Sequence, residues 1–62
     1  MIRINPRDVG KRIDIQEITT ARKVVGKLES VTKRNIVIET DTHAKIYIPF
    51  PILQRNYKGK IH

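Results

Sequence analysis

The chain has no cysteine and no tryptophan, only two alanines and two leucines, and six acids against thirteen lysines and arginines. Without thiols there are no disulfides, the usual reinforcement of a domain this small. With no thiolate and only His43 and His62, a zinc staple of the finger type is excluded as well. A bilayer-spanning helix needs about 20 apolar residues. The longest mostly apolar run here, Ile46 to Leu53, has eight residues, two of them proline. The opening residues Met1 to Asp8 lack the apolar core of a signal peptide. Together with the missing cysteines, this predicts a cytoplasmic protein. At 62 residues the chain has room for a single small domain, 1–62.

β-branched residues are abundant: eleven Ile, five Val and five Thr make up 21 of the 62 positions. Such side chains are stiff at χ1 and suit a pleated surface, whereas helices favour Ala and Leu. The expected class is therefore all-β. At the N-terminus, Asn5 suits an N-cap, Pro6 the first helical position and Asp8 the third. Ile4 and Val9 stand at staple positions, and Gly10 can end this single turn. A first strand over Arg12–Gln16 turns Ile13 and Ile15 inward, and Ile18 breaks the alternation. A second over Val24–Val31 places Val24, Gly26 and Leu28 on one face, with Gly26 marking a bend or close backbone approach. Strands over Ile36–Thr40 and Lys45–Ile48 flank the loop 41–44, and Ile36, Ile38, Ile46 and Ile48 are the natural inward set. Pro49-Phe50-Pro51 stops the fourth strand, a 3-10 turn runs from Pro51, and Tyr57–Ile61 forms the last strand. Five short strands in this order, with one helical turn at the N-terminus and one before the last strand, describe a small closed β-barrel with no exposed edges.

The net charge of +7 is concentrated at the ends. Arg3, Arg7, Lys11 and Arg12 stand against Asp8 in the first twelve residues, and Arg55, Lys58 and Lys60 stand unopposed in the last eight. In the nearly balanced middle, Lys33, Arg34 and Lys45 face Glu39 and Asp41. First and last strands commonly meet in a small barrel, so the two basic ends are expected to merge into one patch that attracts polyanions.

The segment Gly26-Lys27-Leu28-Glu29-Ser30-Val31-Thr32-Lys33-Arg34-Asn35-Ile36-Val37-Ile38-Glu39-Thr40, followed by Ile46-Tyr47-Ile48-Pro49, resembles the barrel of the Sm-like superfamily. Within it, the segment is most like the Sm-like subunits of archaeal ribonuclease P. There a glycine-led strand, a Thr-Lys turn, a Val-Ile-Glu-Thr strand and an Ile-Pro stop recur. The resemblance implies a non-catalytic barrel that binds RNA inside a ribonucleoprotein particle. Ring-forming members line a base-binding site with an Asp-containing turn ending in Asn and with a basic-Gly pair near the last strand. Asn35 and Lys58-Gly59 are the matching residues here. Thr32 stands in the acidic position and Asn35 arrives one residue early, so the match supports the barrel rather than the ring-type uridine pocket.

The candidate nucleic-acid-binding residues are thus Arg3, Arg7, Lys11, Arg12, Lys33, Arg34, Asn35, Lys45, Tyr47, Arg55, Lys58 and Lys60. Any single surface cation is most often a solvated face. The clustering at both termini and at the turn 32–35 is what suggests a phosphate track, whose contacts give affinity and placement without reading sequence. Tyr47, alternating with Ile46 and Ile48, should point outward beside Lys45, either as a stacking platform for a base or as a cross-strand packing partner. Tyr57 is expected to close one end of the core, and Phe50 to join it. Glu39, Asp41 and His43 at alternate positions read as a solvated hairpin tip, not a metal site. His43 is the only internal histidine and the three glycines are isolated. No catalytic constellation or phosphate loop can therefore be assembled, and no cofactor, small-molecule substrate or membrane partner is expected. RNA is the leading partner. A protein–protein module or oligomeric adaptor using an edge strand is the alternative, and a chromatin-type DNA binder the third reading.

Overall fold

The computed structural model describes residues 2–62. Its order is a 3-10 turn at Pro6–Asp8, β1 Arg12–Glu17, β2 Lys23–Val31, β3 Asn35–Thr40, β4 Lys45–Pro49, a helix α1 Phe50–Asn56 and β5 Tyr57–Ile61. All neighbouring strands are antiparallel, in one sheet of order β4-β3-β2-β1-β5. The first and last strands meet as expected, in register from Ile13↔Ile61 to Glu17↔Tyr57. Ile18 breaks the alternation because the strand has ended: its side chain is exposed and its N–H donates to Asn56 O (2.8 Å).

Alternation sets the inner layer. Ile13, Ile15, Leu28, Ile36 and Ile38 have no exposed surface, and Val24 and Ile48 nearly none. Leu53 of α1 is equally buried, while Ile46, Phe50 and Tyr57 are partly buried against the same cluster. Burying a side chain of this size contributes about 1.5–3 kcal/mol, so the helix is held to the sheet chiefly through Leu53. Gly26 marks a close approach: a Cβ there would lie 2.2 Å from Glu39 O. β2 is irregular again between Leu28 and Ser30, where the register with β3 shifts. Such a break increases local twist and curls the sheet.

Two expectations are corrected. The sheet is not closed, because no ladder joins β4 to β5 and both remain edges. Pro49 has no N–H to offer a partner strand, and the next seven residues wind into α1, which carries the chain between the two edges. The segment before β5 is also α-helical rather than 3-10. Pro51 sits in the first turn, where its missing N–H costs nothing, and no breaker follows before Asn56.

The N-terminal segment docks on α1. Ile2 is buried, and Gln54 Nε2 donates to Ile2 O (2.9 Å). In the 3-10 turn, Asn5 N donates to Asp8 Oδ2 (2.9 Å) and Lys11 Nζ lies 3.1 Å from Asp8 Oδ1. These contacts hold the Asp8 carboxyl below its ordinary pKa, the Asn5 hydrogen bond first and Lys11 second. Gly10, with φ +96°, ends the turn, while Val9 stays exposed. No helix among the described residues is long and apolar enough to cross a membrane.

Candidate nucleic-acid interface

Between β2 and β3 the chain reverses over Thr32-Lys33-Arg34-Asn35, and a single hydroxyl organises the reversal. Thr32 Oγ1 accepts from Arg34 N (3.2 Å) and Asn35 N (3.0 Å) and donates to Asn35 Oδ1 (2.6 Å). Thr32 N donates to Asn35 O (2.9 Å), and Phe50 N donates to Arg34 O (2.9 Å). The turn is therefore fixed to itself and to the start of α1. Lys33 and Arg34 project from it exposed, with no carboxylate at ion-pair distance among the described residues.

Beside this turn runs the outer face of β3 and β4. Asn35 pairs with Pro49 and Val37 with Tyr47, so Tyr47 and Asn35 are diagonal neighbours on that face. Diagonal neighbours of this kind stand about 7–8 Å apart, within reach of an aromatic side chain. The Tyr47 side chain points outward as its alternation predicted and is 65% exposed. Lys45 Nζ crosses to Glu29 Oε1 at 2.7 Å, which raises the lysine pKa above its ordinary value.

Three of the expected cations are therefore matched by acids: Lys45 by Glu29, Lys11 by Asp8, and Arg12 by Asp41 through two contacts of 3.3 and 3.4 Å. Arg3, Arg7, Lys33, Arg34, Arg55, Lys58 and Lys60 have no such partner among the described residues. The termini do approach one another. His62 N donates to Arg12 O, and the Ile2–Gln54 hydrogen bond sets Arg3 and Arg55 next to a shared contact.

The outer face of β5-β1-β2 carries a group of cations that the charge count concealed. Lys58 and Lys23 flank Gln16, Lys60 stands opposite Asp14, and Lys27 opposite Arg12. Lys23 and Lys27, along with Arg22 just before them, belong to the balanced middle of the sequence and were not among the expected site residues. For Lys23 and Lys27, alternation with Val24, Gly26 and Leu28 was the available signal.

The two loop matches suggested by the family resemblance lie apart. Asn35 sits where β2 hands over to β3, whereas Lys58 aligns through Gln16 with Lys23 at the opposite end of β2. Gly59 also has a structural reason to be glycine. Its φ is +149°, and a Cβ would fall 2.2 Å from Asp14 O. At the hairpin tip, His43 Nδ1 lies 3.7 Å from Glu39 Oε2, and Asp41 is engaged by Arg12.

No protein-family model matches this chain, and neither does any curated protein or solved structure.

Proposed function

We propose that this chain is a non-catalytic, single-strand RNA-binding module of the Sm-like or SH3-like small-barrel type, working as one component of a ribonucleoprotein particle. The observation that carries this reading is the exposed Tyr47, diagonal to Asn35 at the end of a turn locked by Thr32, whose Lys33 and Arg34 have no ion-pair partner among the described residues. An exposed ring offers a base a stacking surface, and the two cations offer its phosphates compensation without sequence readout. Asn35 contributes its amide nitrogen, since its Oδ1 is held by Thr32. Arg3, Arg7, Arg55, Lys58 and Lys60 add long-range attraction for a polyanion.

A second reading is favoured by one feature: β4 and β5 are both unpaired edges, which suits a protein module that accepts a partner strand. Titration of the protein with single-stranded RNA separates the two. RNA binding requires affinity that falls steeply with salt and weakens in Lys33→Ala, Arg34→Ala and Tyr47→Ala. Strand addition alone requires that no salt-sensitive association with the RNA is seen and that Lys33→Ala and Arg34→Ala change nothing in the titration.

A further inference from the structure

Two concavities of the surface share Lys23. One is a cleft of about 480 Å³ at the corner where β4 and β5 stay unjoined. Val24, Ile46 and the partly buried Tyr57 line it with Arg22, Lys23 and Thr40, whose hydroxyl also accepts from Ala44 N and bonds Thr42 Oγ1. The other is a depression of about 390 Å³ on the outer face, between Lys23 of β2 and Lys58 and Lys60 of β5, with Asp14 and Gln16 of β1 between them.

We propose that the two form one nucleotide site for single-stranded RNA: a base enters the cleft against Tyr57, and its phosphate lies among Lys23, Lys58 and Lys60. The cleft falls within the size range of small-ligand pockets, about 300–1,000 Å³, and combines apolar walls with a few polar groups as such pockets do. Tyr57 supplies the aromatic surface on which a base of any identity can stack. Charge complementarity selects the occupant. Arg22, Lys23, Lys58 and Lys60 have no ion-pair partner among the described residues, and Asp41, the acid that lines the cleft, is ion-paired with Arg12. Asp14 is the one carboxylate in the depression, and the three surrounding lysines outnumber it. Gly59, paired with the inward-facing Ile15, contributes only backbone to the depression. The choice of RNA as ligand rests on the function proposed above, but the residues are different ones.

The test is an amide-resolved titration of the intact chain with hexauridylate, and separately with inorganic polyphosphate. Hexauridylate is expected to shift Val24, Tyr57 and Lys58 to Lys60, whereas polyphosphate is expected to shift Lys58 to Lys60 and leave Val24 and Tyr57 in place. Tyr57→Leu is expected to lower affinity at these amides about tenfold or more. Should Tyr57→Leu fail to fold, the exposed pair Lys58→Ala/Lys60→Ala is expected to diminish the hexauridylate shifts of Val24 and Tyr57 while leaving any shifts of residues 32–35 in place. A uniform loss at both surfaces would overturn the site. RNA shifts confined to residues 32–35 and Tyr47 would overturn this site and leave the proposed function standing. Equal shifts of Val24 and Tyr57 with polyphosphate would overturn base entry. No shift anywhere with RNA would overturn both.

Discussion

The hydroxyl of Thr32 is bonded to the side-chain carbonyl of Asn35 at 2.6 Å, and the same oxygen receives the backbone N–H of Arg34 and of Asn35. One side chain thus holds three groups of a four-residue turn and decides how Lys33 and Arg34 are presented. Thr32→Ala is expected to cost about 1 kcal/mol of stability, the usual net value of a lost hydrogen bond. It should also weaken RNA binding several-fold, whereas Thr32→Ser should retain both properties. Thermal melts and binding isotherms on the two variants check this.

The helix that fills the gap between the edge strands depends on one fully buried residue, Leu53. Leu53→Ala is expected to cost about 2–5 kcal/mol. Domains of this length have only about 3–9 kcal/mol in total, so the variant should be largely destabilised, with a clearly lower urea midpoint. Ile52→Ala, on the exposed side of the same helix, should change the midpoint little.

Glycine is needed at two positions for space, and at Gly59 also for its φ of +149°. A Cβ at Gly26 or at Gly59 would lie 2.2 Å from a backbone oxygen of the neighbouring strand. Because that oxygen belongs to a ladder and cannot swing aside, Gly26→Ala and Gly59→Ala are each expected to cost about 3 kcal/mol. Equilibrium unfolding of the two variants measures this directly.

The Asp8 carboxyl has a pKa held below its ordinary 3.8 by Asn5 N and Lys11. A carboxylate with a lowered folded-state pKa stabilises fully above its unfolded value and loses that contribution as pH falls through the folded one. Asp8→Asn is therefore expected to lower the melting temperature at neutral pH. The difference from the parent should narrow below about pH 4. A gap that stays constant down to pH 2 would contradict this assignment.

Much of the sheet was legible because alternation is a local property. Ile13 and Ile15, Ile36 and Ile38, and the outward Tyr47 all follow from a period of two, and Gly26 announced its close approach. What could not be read is set by pairing between distant segments. That Lys23 and Lys58 flank Gln16 depends on the register of β2 and β5 against β1, which no residue of β1 declares. The same register separates Lys58-Gly59 from Asn35, although a family pattern had placed them together. Pro51 marks the first turn of the helical segment before β5, but no local signal carries that segment to Asn56. Nothing local distinguishes one 3-10 turn from two α turns until Leu53 finds its place in the core.

The reading of Lys33, Arg34 and Tyr47 as an RNA-binding surface is tested most directly by the salt dependence of affinity for a single-stranded RNA oligonucleotide, comparing the parent with Lys33→Ala/Arg34→Ala. Each lost phosphate contact removes about 0.7 from the slope of log K against log salt on a single strand. The account predicts a steep slope for the parent, reduced by about 1.4 in the double variant. Equal slopes in the two proteins, or an affinity that salt leaves unchanged, would contradict it.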